Sequence, residues 1–453
     1  MPLILPGNVA TATASTTYEV ANSCRFDDGD QSRMNRDLVT ATSRQKFTYS
    51  FWVKRSTISH QFFVTNSGST SHIKFDASHR LDVMDEDGNI RYVTNRLFRD
   101  VSAWYSIIVA VDTTQAVAGN RVKIYVNGTQ ETSFSTSTAP DQNYNCTFNT
   151  AVNFKYGSYD NDADFNLDGY LAEVVFIDGS QEAATSFGEF DSDSPQIWKP
   201  KDPSGLTFGT NGHYLDFEAS GNLGNDANGG TDWTEANLAA TDQSTDTCTN
   251  NFCTFNSLYN FNVDPTYSEG NCLLTFGGTW GGGKGTMAVN KGKWYWEAKL
   301  SGTMTNHFHG IQEVNVSGNL TAANPMNLDG SVMFFNQDGG EMRKDDTDTT
   351  NDYGTFSDGD IIGIALNMDG GSYGQITIYK NGSAIVSDYD LSSNNDLVAP
   401  FTAGGGTMSY NFGGSPSFTI SSGNADGNGY GNFEYSVPSG YYSLCTKNLA
   451  EYG

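Results

Sequence analysis

Positive charge is scarce in this chain. Its 453 residues include 25 Lys and Arg against 52 Asp and Glu, giving a formal net charge of −27, and charged residues of both signs make up only 17%. From Asp202 to Gly283, and again from Asn381 to Thr446, no Lys or Arg occurs. A surface this acidic repels phosphate backbones and anionic lipid, which argues against nucleic acid and against a membrane surface as partners. It favours solubility and can attract divalent cations. Apolar runs of about 18 residues are missing as well, so no membrane insertion is expected. Met1 to Gly7 holds a brief apolar run with no basic lead and no cleavage site, so it does not read as a Sec-type signal. Cysteine is sparse: Cys24, Cys146, Cys248, Cys253, Cys272 and Cys445 lie scattered, with no C-x-x-C pair of the kind zinc or redox motifs use. They read as reduced thiols, with a Cys248–Cys253 bridge as the oxidised alternative.

What the chain has in quantity is glycine and aromatics: 49 Gly, 28 Phe and 23 Tyr. That suits strands and tight turns better than exposed helices. A chain of this length is expected to form two domains. Phe47, Tyr49, Phe51 and Val53 alternate with Thr48, Ser50, Trp52 and Lys54, which predicts a strand with one apolar face. Asp85-Glu86-Asp87-Gly88 between alternating segments predicts a hairpin. Tyr105 to Val111, Arg121 to Val126 and Tyr170 to Ile177 read as further strands. A short helix is expected around Glu182 to Phe187, and a hairpin from Gly205–Phe208 with Tyr214–Phe217. In the second half, Trp294, Trp296, Ala298 and Leu300 make one buried face, and Ile362, Ile364, Leu366 and Met368 another.

The two halves carry a similar phrase. Ile107-Ile108 precedes Ile124-Tyr125-Val126-Asn127-Gly128 by the same 17 positions that separate Ile361-Ile362 from Ile378-Tyr379-Lys380-Asn381-Gly382. Two β-sandwiches of similar architecture are the expectation, although this phrase is also simply a good hairpin end. The fold class read from the chain is all-β, with two tandem concanavalin A-like or jelly-roll β-sandwiches and a short N-terminal arm. The boundaries are an arm at 1–16, a first sandwich at 17–218, a connector rich in Gly, Asn, Asp and Thr at 219–255, and a second sandwich at 256–453.

Several phrases resemble known families. Lys291 to Glu297, Gly359 to Leu366, Ile376 to Gly382 and Asn411-Phe412-Gly413 resemble, in order, motifs of the SPRY domain. Phe47 to Lys54, Trp104 to Val111, Arg121 to Gly128 and Leu167 to Val174 resemble the LamG-like, concanavalin A-type jelly roll. Phe187 to Phe190, Trp198-Lys199-Pro200, Tyr214 to Phe217, Ala240 to Gln243, the opening Leu3 to Asn8 and the closing Pro438 to Thr446 are similar to text in structural proteins of marine tailed phages. The last resemblance implies a virion protein, such as a tail fibre, head fibre or capsid decoration, with phage head or tail proteins and a host-surface glycan or protein as partners. It also implies a homo-oligomer, since such assemblies are often trimers. On this reading Leu3, Ile4 and Leu5 anchor the arm to the particle.

Chemistry is sparse by comparison. Glycoside hydrolysis needs two opposed carboxylates, and no E-x-D-x-E triplet occurs. Glu189, Asp191 and Asp193 come nearest, but they lie in linking text, so no enzyme is expected. Asp160, Asp162 and Asp164 offer alternate carboxylates that Ca²⁺ could use, with distant oxygens completing the shell. A solvated acidic loop is the plainer reading. Asp85, Glu86 and Asp87 read as a hairpin tip. His307 and His309 share one face of a strand at a spacing that can chelate a transition metal, although an ordinary surface strand is the simpler expectation. Gly370 to Gly374 matches G-x-S-x-G but lies between strands, and Gly281 to Thr286 reads as a glycine turn rather than a phosphate loop. Trp280, Tyr353 and Tyr430, in Gly/Asp-rich text, are the candidates for stacking on a sugar ring.

Overall fold

The computed structural model describes residues 3–5, 18–68, 71–159, 165–259, 261, 265–301, 307–315, 330–336, 339–345, 347–348 and 351–453, without the side chains of 87, 278–280 and 348. The chain is almost entirely β and divides into two compact units, one being Thr13–Thr249 and the other Met1–Ala12 together with Asn250–Gly453. Among the described residues no helix is long and apolar enough to cross a membrane.

The first unit is a sandwich of two antiparallel sheets. One runs in the order Thr129–Gln130, Val122–Val126, Trp104–Asp112, Lys46–Arg55, Gly169–Asp178, Ser23–Phe26 and Gln243–Ser244. The other runs Phe134–Thr138, Ile90–Thr94, Leu81–Asp85, His72–Phe75, Gln61–Asn66, Asn153–Tyr156, Arg33–Asp37 and Thr234–Ala236. Phe47, Tyr49, Phe51 and Val53 enter the core between them, as their alternation requires. The opposite face of that strand is buried too. Trp52 joins Trp104, Tyr170, Phe187, Trp198, Phe208 and Tyr214 in a second apolar layer outside the sheet. The strand Gly169–Asp178 is therefore covered on both faces. Its register shifts between Ala172 and Val175, and Glu173 occupies the bulge at φ 51°.

The stretch expected as a connector belongs to this sandwich up to Thr249. Thr234–Ala236 pairs with Arg33–Asp37, Gln243–Ser244 pairs with Ser23–Phe26, and Leu223 and Trp233 are core residues. A polar composition does not prevent this, because edge pairing satisfies the backbone while two large side chains anchor the segment. The expected helix is a 3-10 turn at Ala184–Ser186. The expected 205–217 hairpin does not form; His213–Leu215 pairs instead with Gly169–Asp178.

In the second unit, Trp294, Trp296, Ala298, Leu300, Ile362, Ile364 and Leu366 reach the core as read from the sequence. Its layers come from one continuous sheet that turns a corner. Val398–Asn411 pairs through Val398–Ala403 with Phe308–Glu313, and through Thr407–Asn411 with Lys293–Ser301. Leu273–Lys284 follows it around the bend, with its register shifting between Phe276 and Gly281. Glycine permits this: a Cβ at Gly282 would meet the Phe261 ring at 2.7 Å, and one at Gly283 would meet Leu274 at 2.5 Å. The expected glycine turn at 281–284 is thus a strand. The Asn127-Gly128 and Asn381-Gly382 turns both have two positive φ angles, at 48° and 73°, and at 47° and 79°. The repeated phrase nevertheless pairs differently in the two units, Ile107 facing Val126 but Ile362, not Ile361, facing Lys380. A helix at Thr446–Tyr452, unread in the sequence, closes the unit with Leu449 in the core.

The N-terminal run is part of this second unit. Ile4 N donates to Thr286 O at 2.8 Å, Ala288 N donates to Ile4 O at 3.1 Å, and the Ile4 side chain packs on the core. His307 and His309, expected on a surface strand, are buried, at 1% and 0% exposure.

Candidate functional site

One end of the first sandwich gathers polar side chains with buried atoms that have no partner among the described residues. The ladder between Ser23–Phe26 and Gly169–Asp178 ends with Phe26 opposite Gly169, which brings Asp27 and Asp28 beside Asp168. Asp168 is 2% exposed, and its Oδ1 has no hydrogen-bond partner among the described residues. Burial above all, and then the charges of Asp28 and Asp27, push its carboxyl well above the usual range. Two positions earlier, Asn166 is buried with both amide atoms unpartnered among the described residues, and the Ser158 Oγ and Gln61 Oε1 are buried and unpartnered as well. Gln61 is held in place by its amide, which donates to Asp168 O at 3.2 Å. Gly157, at φ 82°, makes the turn before Ser158, and a Cβ there would lie 2.6 Å from the Phe26 ring.

An aromatic group adjoins this end. Tyr159 and Phe62 have ring centroids 4.5 Å apart, Phe165 and His60 4.5 Å, and Lys74 Nζ lies 4.8 Å over Phe62. Behind it on the outer face of the second sheet, Asp82 sits 3.4 Å from Arg91 Nη2, 3.8 Å from His72 Nε2 and 4.0 Å from Lys74 Nζ. Hard oxygen donors such as carboxylate, amide and hydroxyl suit Ca²⁺, and flanking rings suit the apolar face of a sugar. Among the described residues, no three His, Cys, Asp or Glu side chains gather closely enough to hold a metal ion. Neutral oxygens would therefore have to share the coordination.

The residues singled out from the sequence fare unevenly. Asp160, Asp162 and Asp164 lie outside the described residues, although Tyr159 and Phe165 on either side belong to the aromatic group. Asp168, Asn166, Ser158 and Gln61 were not read as site residues. The signal available was Leu167-Asp168-Gly169, which marks a strand entry with an acid at its mouth. Trp280 lies within the strand Leu273–Lys284 rather than in a loop, and its side chain is outside the description. Tyr353 leans on the core of its own unit and accepts a hydrogen bond from Asn351 Nδ2 at 2.9 Å. Tyr430 lies under Lys447, whose Nζ is 5.4 Å from its ring centroid. Asp85 is an internal clamp, accepting from Ser71 Oγ at 2.8 Å, Thr147 N at 2.9 Å and Phe148 N at 3.0 Å. Asp191 likewise clamps its own turn, pairing with Lys199 at 3.0 Å and accepting from Ser194 N at 2.8 Å. All six cysteines are free thiols.

Solved structures with similar stretches include the SPRY domain of human HERC1 (18% identity, 30% of this chain and 86% of that chain, TM-score 0.26). A Bacteroides ovatus protein described as a candidate carbohydrate-binding protein is 15% identical over 49% of this chain and 59% of that chain, with a TM-score of 0.35. A SAP-like pentraxin of Limulus polyphemus is 10% identical over 37% of this chain and 81% of that chain, with a TM-score of 0.27. At these scores the likenesses carry no argument about function. No curated protein matches the chain. Residues 27–185 do match the family model of the concanavalin A-like lectin/glucanases superfamily, Laminin_G_3, and this part of the chain has that fold.

Proposed function

We propose that this chain is a non-catalytic virion structural protein of a tailed phage, of the tail-fibre or head-fibre type, which presents its β-sandwiches to a glycan on the host surface. The observation that carries the binding part is the end of the first sandwich. There the buried, unpartnered oxygens of Asp168, Asn166, Ser158 and Gln61 adjoin the rings of Tyr159, Phe165, Phe62 and His60. A lectin-type fold supports this reading, with loops on rigid sheets doing the binding and many copies on a particle supplying avidity. Asp168, Asn166 and Ser158 would help to hold a Ca²⁺ ion, which would offer a sugar hydroxyl a ligand and relieve the repulsion among Asp168, Asp28 and Asp27. The phage setting rests on the sequence resemblance of the linking and terminal phrases.

The test is binding of the purified full chain to host cells and to their extracted surface polysaccharide, with reducing-end release followed in the same samples. Saturable binding without release is the expected result. Assembly onto particles without any cell binding would favour a capsid decoration or cement protein, and sugar release would make the chain a glycan-degrading enzyme.

A further inference from the structure

The second unit encloses two imidazoles that nothing in the binding account uses. His307 and His309 are fully buried, and their rings lie 6.2 Å apart between centroids and within 10° of parallel. His309 Nδ1 is 2.7 Å from the Tyr410 hydroxyl. Its Nε2, and both ring nitrogens of His307, have no hydrogen-bond partner among the described residues. A neutral imidazole always carries one N–H, so His307 leaves a buried donor unsatisfied, at a cost of about 1–3 kcal/mol. Three uncommitted nitrogens on neighbouring positions of one strand face indicate a ligand rather than a packing role.

The facing strand supplies a further donor. Thr402 stands opposite His309, and its hydroxyl lies 3.0 Å from Met408 Sδ. No third His, Cys, Asp or Glu joins the pair among the described residues. Room for adjustment exists beside His307, because Gly406 has no side chain and even an added Cβ would stay 3.9 Å from the ring. We propose that His307, His309 and the Met408 thioether form a buried site for copper(I). Imidazole with thioether is a soft donor set, which selects copper(I) over the oxygen-seeking Ca²⁺ and Mg²⁺, and zinc lacks the fourth protein ligand of its structural sites. In the tautomer whose Nδ1–H donates to the Tyr410 hydroxyl, His309 Nε2 is the metal donor, the usual arrangement behind a ligating imidazole. Binding turns the rings from parallel to converging.

The test is anaerobic titration of the full chain with copper(I) against a chromophoric chelator, alongside His307→Gln and Met408→Leu, with near-UV circular dichroism confirming that both variants fold. One tightly held copper(I) per chain is expected, with an X-ray absorption shell of nitrogen and one sulfur. Each substitution should weaken it by about tenfold or more. Uptake that both folded variants retain unchanged would assign the copper to cysteine and overturn the proposal. So would no uptake, or zinc(II) held as tightly as copper(I).

Discussion

Lys54 Nζ lies 2.6 Å from Asp246 Oδ2, with both side chains sealed from solvent. The Trp104 indole N–H donates to the other oxygen of the same carboxylate at 3.1 Å. This contact ties the end of the supposed connector to a central strand of the first sandwich. Removing one partner strands a buried charge, so Asp246→Ala should destabilise the first unit by about 3–5 kcal/mol. Replacing the pair together, as Lys54→Met with Asp246→Leu, should cost far less. Chemical denaturation of the two variants checks this, and equal losses would contradict it.

Glu173 gives the first unit a pH dependence. Burial holds its carboxyl up at about 8, although the Tyr214 and Tyr18 hydroxyls each donate to it at 2.9 Å. The folded value lies above the unfolded one near 4.5, so the stabilising neutral form is complete below pH 4.5 and is lost as pH rises through 8. Melting temperature should therefore fall between pH 5 and pH 9. Glu173→Gln should flatten that slope, and an unchanged slope would remove Glu173 as its cause.

The second unit should show the opposite sign. Burial depresses His307 to about 4, and burial together with the neighbouring ring depresses His309 well below the usual value. Their contribution is present above the unfolded value near 6.5 and is lost as pH falls toward 4. Acid should therefore open the second unit at a higher pH in the wild-type chain than in a His307→Gln variant, as read by near-UV circular dichroism.

Ile4 supplies a test of the chain's topology. Its two backbone hydrogen bonds and its packing on the second core should be worth about 1–2 kcal/mol. Ile4→Asp should lower the stability of the second unit and leave the first unchanged. An arm reserved for anchoring to a particle would leave the stability of both units unchanged.

Period-two alternation made the cores legible: Phe47 to Val53 and Trp294 to Leu300 turn inward as their spacing requires. The alternation could not show what covers the other face, since Trp52 packs there against Phe187, Trp198 and Phe208 and Lys54 pairs there with Asp246, all of them distant in sequence. Composition misread 219–249, where Leu223 and Trp233 anchor an otherwise polar stretch. The helix Thr446–Tyr452 gave no periodic signal, because only Asn448 and Leu449 are buried in it. At the candidate site the acidic stretch was visible, whereas Asp168, Asn166, Ser158 and Gln61 meet through three separate strand ends. Such convergence has no trace in local spacing.

The most direct test is a glycan array probed with the fluorescent full chain, in Ca²⁺ and in chelator, beside an Asp168→Ala variant that retains the wild-type melting profile. The account predicts binding to a defined group of glycans that falls about tenfold or more in chelator and in the variant. Equal binding by the variant and the wild-type chain, with or without Ca²⁺, would contradict it.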